Sequence, residues 1–161
     1  MEFYRISPNG HPSYYWVEYP EKGTRDVYRV SGVRKRGDTI SDYVWSSRMI
    51  DVLTACKSTG YSARPVRIYR GHQELKGYMR IRIVGKGGPF DSERSRAVYG
   101  SRGGLIGHDC VYMDEEQWDG SDIFKIPGLG GAIFATGRVT KELMKVKLTN
   151  VTFTLSTECK M

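Results

Sequence analysis

The residue types that enzymes use for nucleophilic catalysis occur together once, as His108, Asp109 and Cys110. Neighbouring residues of a strand point to opposite faces, so His108 and Cys110 would share one side while Asp109 faces away. This arrangement would allow a Cys–His pair, but a solvated loop histidine beside a core cysteine is the commoner outcome. The chain also contains no G-x-S-x-G or H-E-x-x-H motif. We therefore predict no catalytic residues and a protein that is not an enzyme.

Two glycine-rich stretches have the composition of phosphate loops, GKGG at residues 85–88 and GLGG at residues 128–131. A phosphate loop follows a strand and immediately precedes a helix, because the first N–H groups of that helix face the anion. GLGG is instead followed by the strand-like sequence AIFAT, and GKGG runs into Pro89, Phe90 and an acidic residue. We predict that both stretches form turns and that the protein uses no nucleotide or other cofactor.

The cysteines do not indicate a metal site. Cys56, Cys110 and Cys159 lie far apart and form no C-x-x-C pair, which is typical of reduced structural thiols rather than of zinc ligands or a disulfide framework. The acids of residues 114–122 would offer oxygen ligands to a hard cation, but the spacing of an EF-hand loop is absent. We predict no bound metal, and we interpret this segment as a solvated or protein-binding acidic patch.

The charges of the chain are unevenly distributed. The net charge is +7 and the isoelectric point is near 9.4, as in many nucleic-acid-binding proteins. Residues 64–86 hold seven Lys or Arg and one acid, whereas residues 103–124 hold six acids and no Lys or Arg. A surface of two signs favours a protein partner over a uniform cationic coat for phosphate. The acids that we assign to partner contact are Asp114, Glu115 and Glu116.

One strand-like segment, KGYMRIRIVGK, alternates cleanly between apolar and basic residues. Met79, Ile81 and Ile83 would face the core, and the remaining side chains would lie together on the opposite face. The candidate partner-binding residues of this basic face are Arg67, Tyr69, Tyr78, Arg80 and Arg82. Two alternatives stay open: the face holds RNA by stacking and phosphate contacts, or it is an outer sheet face that arginine keeps soluble.

The elements that must position these residues follow from the hydrophobic pattern. At 161 residues the chain fits a single domain, residues 1–161. No apolar run is long enough for a membrane span, and no signal peptide is recognisable at the start, so we predict a cytoplasmic protein. Apolar positions from Met49 to Cys56 predict one helix that ends at Gly60, and a second is predicted at about residues 139–146.

Strands are predicted around both helices. They include MEFYRI, SYYWVEY, TRDVYRVSGV, ARPVRIYRG, KGYMRIRIVGK, CVYMD, AIFAT and VTFTL. RKRGDTISD and most of residues 85–108 read as surface loops, and a loop as long as the second is commonly functional or mobile. We predict an α+β fold: a mixed, mainly antiparallel sheet with two short helices packed on it.

Two segments resemble each other. Aligning VWSSRMIDVL, residues 44–53, with FATGRVTKEL, residues 134–143, pairs Ser46 with Thr136 and Arg48 with Arg138. Each segment is a strand end, a small hydroxyl residue, an arginine and an amphipathic helix, followed by a strand. A true repeat and a chance match of strand–helix–strand geometry are both compatible with this similarity. Either way, it predicts two helices of similar role.

The C-terminal region is similar to a known family. The sequence WDGSDIFKI, then a strand ending in a hydroxyl residue, an RVTKEL helix start and a closing LTNVTFTL resemble bacterial immunity proteins of polymorphic and contact-dependent toxin systems. The group concerned has a Trp-Asp-Gly-x-Asp signature and relatives with two C-x-x-C-G motifs. The resemblance covers about residues 40–157 and includes the segments VWSSRMIDVL, GYMRIRIV and FDSERS. Because this chain lacks both C-x-x-C-G motifs, zinc is not implied.

The resemblance implies a cytoplasmic protein that binds and blocks a cognate toxin domain without chemistry of its own. Abundant Tyr and Arg agree with such a role, since both are enriched at binding hot spots. The signature residues are Trp118, Asp119, Asp122 and Phe124. We expect structural roles for them, with Trp118 packed and Asp119 bonded to backbone at the Gly120 turn.

Overall fold

The computed structural model describes residues 1–9, 16–18, 27–31 and 37–160. Its helices are α1 (Ser47–Ala55) and α2 (Gly137–Lys145). The strands up to α1 are β1 (Phe3–Pro8), β2 (Trp16–Glu18), β3 (Val27–Ser31), β4 (Thr39–Ser41) and β5 (Val44–Ser46). Those between α1 and residue 108 are β6 (Tyr61–Pro65), β7 (Arg67–Arg70), β8 (Gln73–Leu75), β9 (Tyr78–Ile83), β10 (Gly85–Lys86), β11 (Ala97–Tyr99) and β12 (Leu105–His108). The last strands are β13 (Ile123–Lys125), β14 (Ile133–Thr136) and β15 (Val151–Leu155).

The strands form several small sheets rather than one large sheet. A five-stranded sheet has the order β10-β13-β14-β1-β15, and a four-stranded sheet has the order β4-β5-β9-β6. A second four-stranded sheet, β2-β3-β7-β8, and the β11–β12 hairpin complete the set in the described residues. Most pairings are antiparallel, with parallel pairs at β10–β13 and β3–β7. The predicted α+β class with two short helices is confirmed, although the expected single sheet is divided.

Some sequence expectations fall partly outside the described residues. Of the predicted strands SYYWVEY and TRDVYRVSGV, the structure describes residues 16–18 and 27–31, which are strands. Of the predicted loop RKRGDTISD it describes residues 37–42, and these include β4. Strand β4 adds an edge to β5, a pairing that the short polar sequence did not indicate.

The two larger sheets and the two helices form two units of the same architecture. In the first unit, β4 and β5 lead into α1, β6 follows, and β9 lies between β5 and β6. In the second unit, β13 and β14 lead into α2, β15 follows, and β1 takes the central place of β9. The second unit therefore obtains its central strand from the other end of the described chain.

The strand registers show how closely the units correspond. Trp45 pairs with Met79 in the first unit, and the equivalent Ala135 pairs with Tyr4 in the second. Ala63 pairs with Ile81, and the equivalent Phe153 pairs with Ile6. The segments after the helices also match: residues 51–60 and 141–150 have the same order of exposed, half-buried and buried side chains. The similarity between residues 44–53 and 134–143 therefore reflects a duplicated local architecture.

The turns that follow the two helices share their backbone conformation. Lys57 and Lys147, one residue after each helix cap, both have φ near +50° (52° and 49°). Gly60 and Asn150 stand at the next equivalent left-handed position, with φ of 86° and 58°. Glycine and asparagine are the residues that adopt this conformation most readily. A side chain at Gly60 would also meet the backbone oxygen of Ile123.

The main hydrophobic core belongs to both units. Ile6 and Ile81, at equivalent positions of β1 and β9, are buried in it, as are Leu53 and Leu143 of the two helices. Trp45 is the largest side chain of this cluster and is 1% exposed. Burial of these side chains from both units is the main favourable contribution to their association.

Each unit has a second, outward-facing cluster on the other side of its sheet. In the first unit this outer cluster is formed by Ile40, Val44, Ile68 and Leu75, so it joins β4 and β5 to the β7–β8 hairpin. In the second unit the outer cluster is larger. It consists of Phe3, Val111, Met113, Phe124, Ile126, Leu129, Phe134 and Cys159, with Phe90, Trp118 and Ala132 packed against it.

The helix boundaries follow from caps and from the apolar face. The Ser46 side chain accepts a hydrogen bond from the Met49 backbone N–H at 3.1 Å, which fixes the start of α1. Helix α2 begins at Gly137, two residues before the predicted Val139, and ends at Lys145 rather than Val146. The difference arises because the first turn carries Gly137 and Arg138, which give no apolar periodicity.

Candidate protein-binding surface

The signature tryptophan is part of the outer cluster of the second unit. The Trp118 ring is half-buried, with its centroid 5.4 Å from the Phe3 ring in an edge-on arrangement and 5.7 Å from the Phe124 ring. Its indole N–H donates to the backbone oxygen of Ser121 at 3.1 Å. Phe124 is completely buried between Phe3 and Phe134. Both signature aromatics thus hold the 118–124 segment against the sheet.

The carboxylate of Asp119 organises a turn. It accepts hydrogen bonds from the backbone N–H groups of Lys86 at 2.8 Å and of Ser121 at 2.9 Å. Gly120 lies between Asp119 and Ser121 and has a φ of 80°, a left-handed backbone conformation that favours glycine. Burial by itself would raise the pKa of Asp119, but these hydrogen bonds and the nearby Lys86 lower it below its ordinary value. Asp119 therefore links β10 to the start of β13.

Asp122 is a buried carboxylate that joins the two units. It accepts hydrogen bonds from the Thr59 N–H at 3.0 Å and from the Thr136 hydroxyl at 3.1 Å, and it pairs with Arg138 at 2.6 Å. Thr136 and Arg138 belong to its own unit, whereas Thr59 follows α1 of the first unit. Burial would raise the pKa of Asp122, but the bonds from Arg138, Thr59 and Thr136 lower it below its ordinary value.

Asp38 is the equivalent of Asp122, and it was not among the residues predicted from the sequence. Its carboxylate accepts from the Ser46 hydroxyl at 2.6 Å and from the Thr149 N–H at 2.7 Å, with Arg48 at 3.8 Å. Thr149 follows α2 of the second unit. Each unit therefore supplies one aspartate that binds the segment after the helix of the other unit. The available signal was an aspartate immediately before a short strand in each unit, Asp38 before β4 and Asp122 before β13.

The matched arginines cap the opposite helices. Arg138 donates to the Cys56 backbone oxygen at 2.9 Å, and Arg48 donates to the backbone oxygens of Val146 and Lys147. A guanidinium at the carbonyl end of a helix satisfies free acceptors and interacts favourably with the helix dipole. The arginines common to both sequence segments therefore tie each unit to the helix end of the other.

The predicted basic face is divided between two surfaces. Tyr78 packs against the outer cluster of the first unit and donates from its hydroxyl to the Gly37 backbone oxygen at 2.9 Å. Arg80 and Arg82 are exposed on the same side of β9. Arg67 and Tyr69 alternate with the buried Ile68 and therefore lie on the side of β7 that faces away from that cluster. Within β7 and within β9, the residues alternate between the two faces as expected. Because Ile68 is buried in the outer cluster, Arg67 and Tyr69 do not share a face with Arg80 and Arg82.

The three acidic candidates have different surroundings. Asp114 caps the short 3-10 turn Glu115–Gln117 by accepting from the Glu116 N–H at 3.0 Å. Glu115 pairs with the amino group of Met1 at 3.2 Å. Glu116 is exposed. Among the described residues, no group of three His, Cys, Asp or Glu side chains is arranged to hold a metal ion.

His108 and Cys110 also have structural surroundings. The His108 ring packs edge-on against Phe90, with 4.9 Å between the ring centroids. The sulfur of Cys110 accepts from the Arg96 N–H at 3.1 Å and donates to the Arg94 oxygen at 3.7 Å. Both side chains therefore make packing or hydrogen-bond contacts at the base of the β11–β12 hairpin.

The structure corrects the prediction of a long loop at residues 85–108. Residues 97–108 form a hairpin whose strands pair Ala97 with His108 and Val98 with Gly107, with a register shift before Tyr99. We refer to residues 97–108 as the hairpin. Its strands are short and are interrupted by the shift, so the sequence shows too few alternating positions to predict them. The two earlier strand residues, Gly85 and Lys86, extend the sheet of the second unit.

The hairpin presents apolar side chains to solvent. Tyr99, Leu105 and Ile106 are 65%, 58% and 68% exposed, and all residues from Ser101 to Ile106 are exposed. Its base is fixed: Arg96 pairs with Asp109 at 3.1 Å. Clustered exposed apolar side chains on a small element are characteristic of protein contact sites.

The described helices are all too short or too polar to cross a membrane. No protein-family model and no curated protein matches this chain. The fold and the exposed surface thus define a two-unit α+β protein whose projecting element is an apolar hairpin.

Proposed function

We propose that this chain is a bacterial immunity protein, which binds a cognate toxin domain and neutralises it by direct protein–protein contact. The observation that carries the proposal is the hairpin, on which Tyr99, Leu105 and Ile106 are all more than half exposed. Tyrosine and arginine anchors surrounded by apolar contacts provide most of the binding energy in protein interfaces. The resemblance of residues 40–157 to immunity proteins supports the choice of partner.

Rigidity at the base of the hairpin supports a binding role. Ser95 is buried, and its hydroxyl accepts from the Tyr112 N–H at 2.9 Å. The Arg94 guanidinium lies over the Tyr112 ring at 4.4 Å from the centroid. Because the base is already ordered, a partner that binds the tip avoids much of the entropic cost of ordering a loop.

The surface charge favours a protein partner over nucleic acid. Arg67 lies on the side of β7 that faces away from the outer cluster of the first unit, whereas Arg80 and Arg82 lie on the side of β9 that carries Tyr78. This division does not favour one continuous basic groove along a phosphate backbone. Glu116 exposes negative charge, and the half-buried Asp114 lies in the same turn. Patches of both signs would guide and orient a protein partner.

The test uses the C-terminal domain encoded by the reading frame next to this chain as the toxin candidate. We expect wild-type protein to bind this domain and to protect cells that express it. The double variant Tyr99→Ser, Ile106→Ser should weaken binding by about 10- to 100-fold, as the loss of hot-spot residues does. Calorimetric titration and survival of the expressing cells give the two readouts.

Matched controls separate the hairpin from other surfaces. Met144→Ser removes an exposed apolar side chain on α2, 47% exposed, and should leave binding and protection unchanged. The variant Arg80→Glu, Arg82→Glu tests the basic side of β9 as an additional contact. Absence of both binding and protection by wild-type protein would contradict the proposed function. Tight, strongly salt-dependent binding to single-stranded RNA would favour the nucleic-acid alternative.

A further inference from the structure

The hairpin also indicates what kind of surface it meets. Resting on the proposed function, we infer that the hairpin enters a concave, carboxylate-bearing site of the toxin domain, with the Arg102 guanidinium at its deep end. The toxin is then inhibited by occupation of its cleft rather than by binding at a remote surface.

The shape of the hairpin supports a concave partner site. It is a two-stranded element whose strands pair with each other and with no other strand in the described parts of the chain. The tip is narrow, because Gly100, Gly103 and Gly104 carry no side chains there, and Gly103 turns the chain with a φ of 75°. Space beside Gly103 and Gly104 is open for at least 4 Å. A narrow element with side chains on both faces buries more surface in a cleft than on a flat surface.

Charge complementarity specifies the lining of the cleft. From Arg94 to His108 the chain holds three arginines and no acid. Arg94 and Arg96 pair with Asp91 and Asp109 at the base. Arg102 is exposed at the tip, and no ion-pair partner for it occurs in the described residues. Its guanidinium can accept a bidentate carboxylate in the partner, which is the strongest ion-pair geometry available to it.

The same charge argues against another class of cleft. A site that binds a nucleic-acid substrate is itself cationic, because it must neutralise phosphates. Such a cationic site would repel Arg102. The other exposed side chains of the hairpin, Tyr99, Leu105 and Ile106, carry no negative charge that would offset this repulsion. A cleft whose chemistry depends on exposed carboxylates instead attracts it. Since enzyme chemistry is concentrated in concave sites, the toxin's substrate and the hairpin would compete for the same space.

The test compares Arg102→Glu with Lys76→Glu, which makes the same charge change at an exposed site between β8 and β9. The probe is the purified C-terminal domain from the neighbouring reading frame. We expect Arg102→Glu to weaken its binding by about 100-fold or more, the scale for reversing one partner of a close charge pair. Lys76→Glu should bind as wild type does. The domain's own substrate should compete with wild-type protein for binding.

The outcomes distinguish the inference from the proposed function. If wild-type protein binds and protects, but Arg102→Glu binds equally well or substrate does not compete, the inference is overturned and the proposed function stands. If wild-type protein neither binds nor protects, both are overturned. Binding of an oligothymidylate of about 20 nucleotides that is lost in Arg102→Glu would assign the hairpin to nucleic acid. A wild-type dimer that Ile106→Ser dissociates would assign it to a second copy of the chain. Either result would overturn the inference.

Discussion

Equivalent outward positions of the two units carry different side chains. The first unit has Ile40, Val44 and Tyr78 on the outer side of its sheet, and the second has Phe124, Phe134 and Phe3. The inner side keeps Ile81 and Ile6, and Leu53 and Leu143, at equivalent positions, because both units contribute to one shared core. Trp45 of the first unit stands where the second has Ala135, so the two inner faces are complementary rather than identical. The inner faces must fit each other, whereas each outer face needs to fit only the segment that covers it.

The covering segments account for this difference. A small hairpin, β7–β8, contributes Ile68 and Leu75 over the first unit. The second unit is covered mainly by parts of residues 90–129 and by Cys159, which need larger side chains beneath them to fill the space. The hairpin that we assign to partner binding belongs to this larger covering segment. The two units thus share one scaffold, and the scaffold accepts outer coverings of very different size.

The largest expected effect tests the two outer clusters. Phe134→Ala should destabilise the protein by about 3–5 kcal/mol, because it empties a completely buried aromatic site. Val44→Ala, at the equivalent position, should cost about 1–3 kcal/mol, since fewer buried methyl groups are removed. Urea unfolding followed by circular dichroism measures both. If Val44→Ala lowered the free energy of unfolding as much as Phe134→Ala does, or more, the expected difference between the two outer clusters would be contradicted.

An intermediate effect is expected at the carboxylates that bridge the units. Asp122→Asn should destabilise by about 1–3 kcal/mol at neutral pH, because hydrogen bonds to a charged acceptor are weakened. Asp38→Asn should cost less, because Arg48 lies 3.8 Å from Asp38 whereas Arg138 lies 2.6 Å from Asp122. Asp51→Asn, exposed on α1, is the control and should change stability by less than about 0.5 kcal/mol.

The difference between wild type and Asp122→Asn should depend on pH. The pKa of Asp122 is lowered in the folded protein, so its contribution is complete above the unfolded pKa of about 4. It is lost as the pH falls through the lower, folded pKa. Unfolding measured from about pH 7 down to about pH 2 should show the two proteins converging in acid. A constant difference over that range would contradict the assigned bonds.

The smallest expected effect concerns the shared core. Thr140 of α2 is completely buried, and its hydroxyl has no hydrogen-bond partner among the described residues. The equivalent residue of α1 is Ile50. Thr140→Val keeps the shape and removes the unsatisfied hydroxyl, so it should stabilise the protein by about 0.5–1.5 kcal/mol. The reverse change at the equivalent site, Ile50→Thr, should destabilise. A loss of melting temperature in Thr140→Val would show that the hydroxyl has a partner.

Much of the fold was accessible from sequence because it depends on local patterns. The period of Met49, Ile50 and Leu53 predicted α1, and the alternation of β9 placed Ile81 in the core. The similarity around Arg48 and Arg138 was also visible. The full extent of this similarity was not visible from the sequence. The central strand β9 follows α1 in the first unit, whereas the equivalent strand β1 precedes α2 in the second.

The candidate site was less accessible. Asp38 and Asp122 lie before short strands, and the partners Thr149 and Thr59 are remote in sequence, so no spacing rule connects them. The hairpin read as a loop because its two strands are short and its glycines resemble turn residues. Exposure of Leu105 and Ile106 could not be inferred, since apolar residues in a predicted loop are as compatible with burial as with contact.

By itself, the sequence determined the α+β class, both helices and the alternation of the long strands, because propensity and hydrophobic period act within a few residues. The tertiary structure alone decided that β1 completes the second unit, that Ile68 separates Arg67 from Arg80, and that the hairpin projects with its apolar side chains exposed. These features depend on which distant segments cover each other. That choice is made by the packing of whole surfaces, and no local pattern encodes it.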